Sequence, residues 1–217
     1  MINNVYFRRA AWRFLLLYGV DRLPVDVLAV ANRAGIHVLT FSQLSARIGV
    51  SVSDICARYD DEGFAFWSTG EQRFVLCYNE RFPFYVSRWT IMHEIAHVHL
   101  QHITPAHPIH TRVRSFDRSI FEMEADSLAR RVLCPSIVLH DLHAFSASAI
   151  SDLCGISLEA SIYRSRHMKS LEARNAYLSD PLESDVERQF IPFILERSRR
   201  GYDVETAREL FPYELTA

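Results

Sequence analysis

His93, Glu94 and His97 form an H-E-x-x-H pentad. On a helix over residues 90–101 the two histidines stand one turn apart on one face, where both can reach a single metal ion. Glu94 lies about 100° further around the axis, placed to touch a metal-bound water rather than the metal. Zinc in hydrolytic sites takes three protein ligands and leaves a fourth position to water, whose pKa it lowers towards about 7. Glu94 would accept the proton of that water as it attacks a carbonyl and return it to the leaving nitrogen. The chemistry implied is amide hydrolysis without a covalent intermediate.

The third ligand must come from elsewhere. Glu122-Met-Glu-Ala-Asp126 follows His97 after 24 intervening residues, in a second helical stretch. Glu122 shares a helical face with Asp126 and Ala129, so that face can carry a ligand, an orienting carboxylate and a small residue permitting close helix approach. Glu124 points roughly 160° away and is the competing assignment. The expected set is therefore His93, His97 and Glu122 as metal ligands and Glu94 as the catalytic base. Asp126 is expected to accept the second N–H of a ligand histidine and fix its tautomer. His99 and His102 do not repeat the four-residue step and read as surface or loop contacts; His107, His110, His140 and His143 are poorer ligands still. Tyr78, Tyr85 and Tyr163 are candidates for stabilising an oxyanion. Imidazole plus carboxylate ligation suits Zn2+ best, with manganese as the other option.

These residues need elements to position them. An amphipathic helix is predicted over residues 6–18, with Ala10, Phe14, Leu17 and Tyr18 facing inward, and a second starts at Pro24 and ends at Gly35. A strand over 36–41 and a helix over 43–59 follow. Aromatic and β-branched runs at 64–68 and 74–78 flank Thr69-Gly70-Glu71-Gln72, a hairpin signal, so an antiparallel sheet precedes the motif helix. Ser87 is a candidate N-cap for that helix. Residues 104–117 read as a loop beside the site, and 121–133 as a helix ended by Cys134-Pro135. Residues 147–168 have the rhythm of a helix-turn-helix, with Gly155 in the turn and Ser157 as cap. A hinge at 179–181 precedes a last helical stretch punctuated by Pro192 and Gly201. The pattern is α+β, with a catalytic domain over 1–140 and a helical region over 141–217.

With 217 residues, 49% of them hydrophobic, the chain can build a proper core. A net charge of -2 gives no global basic field, so nucleic-acid binding by the whole surface is not implied. Cys56, Cys77, Cys134 and Cys154 include no C-x-x-C pair and read as free thiols in a reducing compartment. Arg8-Arg9 before an apolar run mimics a signal peptide, but Asp21-Arg22 closes the run early and no small-residue cleavage site follows. No window approaches the roughly 18 apolar residues of a membrane span. A soluble cytoplasmic protein is expected.

The run from Arg88 to His97, together with Glu122-Met-Glu-Ala-Asp-Ser-Leu-Ala129 and Leu133-Cys134-Pro135, resembles the ImmA/IrrE family of zinc metallopeptidases. The order of elements also matches: helix and strand, hairpin, metal helix, second motif. The likeness covers roughly residues 23–173. Trp89, Met92, Asp126 and Cys134 depart from the family's usual residues, and none of these changes removes a reactive group. The resemblance implies a compact zincin-like (gluzincin) domain and site-specific cleavage of a helix-turn-helix repressor, often encoded nearby, as part of a stress or mobile-element response. It says nothing of residues 174–217. Two other readings use the same residues. One is a DNA- or partner-binding regulator that works through 147–168, with Arg164, Arg166, His167 and Lys169 at phosphates and a structural zinc. The other is the toxin of a toxin–antitoxin pair.

Overall fold

Strand β3 (Arg73–Tyr78) lies at the centre of a three-stranded sheet, between β1 (His37–Thr40) and β2 (Gly63–Ser68). The computed structural model describes residues 4–109 and 116–210. The hairpin is antiparallel as its pattern predicts, with Ala65 opposite Leu76. Strand β1 instead pairs parallel to β3, Val38 opposite Leu76, so the sheet is mixed. The connection from β1 to β3, which runs through two helices and β2, is long enough for the crossover that a parallel pair needs. Alternation then divides the sheet faces. Val75 and Cys77 pack with Phe41, Leu44 and Ile55, while Ala65 and Leu76 join the main core under the motif helix.

The stretch predicted as one helix over 43–59 is two, α3 (Phe41–Ile48) and α4 (Val52–Arg58). Gly49 ends the first in the left-handed conformation, φ +69°, and the Ser51 hydroxyl accepts the Asp54 N–H to start the second. Helix α2 (Val27–Arg33) starts at Asp26, whose carboxylate accepts the Ala29 N–H, and Pro24 precedes it rather than opening it. In α1 (Asn4–Leu17) the buried stripe is Phe7, Ala11, Phe14 and Leu15, and Leu17 is exposed, contrary to expectation. The motif helix α5 (Phe84–His99) starts three residues before the predicted cap Ser87, after Pro83, which pre-sets the helical entry. It buries Ile91, Met92, Ile95 and Ala96.

Helix α6 (Phe116–Leu133) packs against α5 and α1. Then follow α7 (Ser136–Asp141), α8 (Ala147–Cys154), α9 (Leu158–Glu172) and α10 (Pro181–Leu210). Helix α10 continues through Pro192 and Gly201 without a break and lies against α1 and α7. Among the described residues no helix is long and apolar enough to cross a membrane.

The turn between α8 and α9 forms as predicted, with Gly155 left-handed and the Ser157 hydroxyl accepting the Ala160 N–H. Its arginine does not face outward. Arg164 is buried and donates to the Cys134 carbonyl and to Ser136 Oγ, 2.7 Å away, which removes it from any phosphate-binding surface. The α8–α9 pair is built into the core through Ile150 and Cys154 on α8 and Met168 and Leu171 on α9. From the other side, Arg88 on α5 donates to the Cys154 and Gly155 carbonyls, both at 3.2 Å, and so satisfies the last turn of α8. Replacing it by leucine leaves those carbonyls without their charged donor. Arg88→Leu should cost about 2–3 kcal/mol of stability, read as a lower urea midpoint at unchanged slope.

Candidate metal centre

Helix periodicity on α5 and α6 brings three donor atoms together. His97 Nε2 lies 3.0 Å from His93 Nε2; His93 Nε2 lies 3.2 Å from Glu122 Oε2; His97 Nε2 lies 3.7 Å from that same oxygen. Bonds of about 2.0–2.1 Å at a tetrahedral ion set donor–donor separations near 3.3 Å. The observed triangle brackets that value, so these residues fit a zinc-sized cation. Among the described residues this is the group of His, Cys, Asp and Glu side chains arranged to hold a metal.

Asp126 Oδ1 stands 3.0 Å from His93 Nδ1, near enough to pair with it although the contact is off the ideal hydrogen-bond line. It lies one turn beyond Glu122 on α6. Glu124, the competing ligand, is not in the triangle; its Oε2 lies 3.1 Å from His102 Nε2. His102 in turn faces His97, their Nδ1 atoms 3.0 Å apart. The reading of His102 as a surface or loop contact is therefore corrected: its side chain is 4% exposed and touches a member of the triangle. His99 is corrected too, since it packs on Phe14 and Tyr18 of α1. His107 and His143 are exposed, His140 pairs with Asp141, and His110 lies outside the described residues.

The electrostatics of the cluster favour a positive charge. Burial opposes a charged His93, but hydrogen bonds to Asp126 and Glu122 outweigh it and push its pKa up to about 10. The same histidines hold the Glu122 carboxyl far below its usual range. Burial pulls His97 down to about 4, so it is a neutral imidazole at ordinary pH.

Glu94 faces a cavity of about 590 Å3 that also exposes His93, His97 and Glu122. Its carboxylate accepts the backbone N–H of Ala65 on the outer edge of β2. Burial raises its pKa to about 7, with His93 opposing and the Glu122 and Asp60 carboxylates adding to the rise. Asp60, Asp61 and Glu62 form an acidic wall. Two residues further along β2, the Trp67 N–H donates to the Pro108 carbonyl at 2.7 Å, and Ile109 pairs with Phe66 and lines the cavity. The described part of the 104–117 loop thus borders the site. Of the tyrosine candidates, Tyr85 and Tyr163 line an adjoining cavity and Tyr78 packs against the core; the tyrosine at this cleft is Tyr59, which sequence reasoning did not single out.

If Glu122 closes the triangle, Glu122→Gln should take purified protein from about one zinc per chain to nearly none after dialysis, with folding intact. Glu124→Gln should still bind an ion at saturating zinc. Full zinc retention by Glu122→Gln would move the third ligand elsewhere.

A search of curated proteins finds no match to the chain. The family model of the IrrE N-terminal-like domain, peptidase M78, matches residues 31–166, which include β1, the hairpin, α5, α6 and the α8–α9 turn. That span is more than half the chain and holds every member of the triangle. The protein belongs to the peptidase M78 family of IrrE N-terminal-like domains, a family of metallopeptidases.

Proposed function

We propose that this chain is a zinc-dependent endopeptidase that cleaves one specific regulatory protein in the cytoplasm, a helix-turn-helix repressor encoded nearby. The observation that carries the reading is the convergence of His93 Nε2, His97 Nε2 and Glu122 Oε2 in a cleft that also holds Glu94. In this reading residues 1–140 carry the catalysis as one domain, 141–217 are a second region, and Arg88 joins the α8–α9 turn of that region to the motif helix.

A bound zinc ion supplies the Lewis acidity that polarises a carbonyl and acidifies water. The chain does the rest. His93, His97 and Glu122 present three lone-pair donors, and Asp126 holds the ring of His93 from its Nδ1 side. Glu94, anchored by the Ala65 N–H, accepts a proton from the attacking water and passes it to the departing amide nitrogen. The outer edge of β2, with Pro108 and Ile109 along it, forms the wall of the cleft beside which an extended peptide would lie.

Two measurements test the reading. Incubation with the neighbouring repressor should give two fragments at one bond by mass spectrometry, with loss of cleavage on chelation and recovery on adding zinc. Glu94→Gln should lower the cleavage rate by about 10²–10⁴-fold while zinc content stays unchanged. Equal cleavage by Glu94→Gln and the unaltered protein would sink the proposal.

A further inference from the structure

We infer that Glu124 and His102 form a positioning relay that fixes the proton of His97 on Nδ1 and so keeps its Nε2 lone pair directed at the metal. The inference rests on His97 being a ligand. A neutral imidazole carries one proton, and a nitrogen that binds a metal cannot hold it. The His97 proton therefore belongs on Nδ1, 3.0 Å from His102 Nδ1. Two nitrogens at that distance share one proton, so His102 Nδ1 accepts and its own proton sits on Nε2. That atom lies 3.1 Å from Glu124 Oε2, and an ionised carboxylate only accepts. Each donor then meets an acceptor from Glu124 through His102 to His97. The opposite polarity would put the His97 proton on Nε2, against His93 Nε2 at 3.0 Å and inside the triangle.

The fold builds this contact deliberately. After α5, Gln101 adopts the left-handed conformation at φ +63°, its N–H donates to the Val98 carbonyl at 3.1 Å, and the His102 N–H donates back to the His97 carbonyl at 2.9 Å. This paired helix-end motif swings the His102 ring over that of His97. Phe121, from α6, stacks on His102 with ring centres 4.4 Å apart and planes 18° apart. Glu124 and Glu122 leave the same helix in different directions, so one turn of α6 serves both ligand histidines. His93 is held directly by Asp126 at 3.0 Å, and His97 is held through an interposed imidazole.

The test measures zinc affinity by chelator competition, with the visible spectrum of the Co2+-substituted protein and unfolding of the metal-free protein alongside. His102→Leu should weaken zinc binding by about 10–100-fold and alter the Co2+ spectrum, while His102→Asn, which restores an acceptor, recovers part of the loss. Glu124→Leu, at a half-buried position on α6, should weaken binding about 10-fold and carries the test if His102→Leu does not fold. His97→Ala is the control for the underlying reading. If His97→Ala loses zinc while His102→Leu and Glu124→Leu both bind within about threefold of the unaltered protein, the relay is wrong and the ligand set stands. If His97→Ala binds zinc normally, the ligand assignment fails and the relay with it.

Discussion

Two imidazole nitrogens and a carboxylate oxygen repel one another when all three keep their lone pairs, so a shared proton or a cation is needed for them to stand 3.0, 3.2 and 3.7 Å apart. Something must hold them there, and the remainder of the structure is arranged to do so. Helices α5 and α6 pack against each other, and Ala96 on one and Ala125 and Ala129 on the other are fully buried in their common core. Beneath them Ile91, Met92 and Ile95 seat α5 on the sheet and Leu128, Val132 and Leu133 seat α6 in the same core. Burial of that many aliphatic side chains fixes the two helices against each other and so fixes the triangle. The raised pKa of His93 and the depressed one of Glu122 are two signs of one demand for positive charge, which the pair meets by hydrogen bonding to each other.

The edge strand β2 sets the other half of the cleft. Gly63 opens it where a Cβ would come within 2.5 Å of Thr90 Cγ2 and 2.8 Å of the Cys77 carbonyl, so only glycine lets strand and motif helix touch there. Thr90 then donates to Glu62 at 3.1 Å, tying α5 to the acidic wall. Two residues on, the Ala65 N–H holds Glu94 and the Trp67 N–H holds Pro108. Period-two alternation places these outward N–H groups in one row. Glu94 and the loop therefore share a single line of backbone donors.

Local periodicity made the clustering of His93, His97 and Glu122 legible. The histidine pair, Glu94, and the preference for Glu122 over Glu124 all follow from 100° steps along two helices, and the structure brings His93, His97 and Glu122 together as those steps require. The hairpin was legible for the same reason, since alternation and a turn signal lie within sixteen residues. What sequence could not show depends on contacts between distant segments. The parallel pairing of β1 is one such contact, and the burial of Arg164 is another, because a basic residue on a helix reads as solvated until its carbonyl partner at Cys134 is known. Helix starts at Pro83 and Asp26 were misplaced by a few residues where capping signals compete.

His102 is the most instructive miss. Five residues beyond His97 it falls off the helical repeat, and the ordinary sign that the chain doubles back at a helix end is a glycine in the left-handed position. Here that position is Gln101, which bears a Cβ and gives no such sign. The cost of placing it at φ +63° is offset by the two backbone hydrogen bonds of the helix end and by the stacking of His102 on Phe121. A site read only as a helical pattern ends with its ligands. Read with its helix end, it continues through His102 to Glu124, so that the second motif meets the first twice, once at the donor triangle and once behind it.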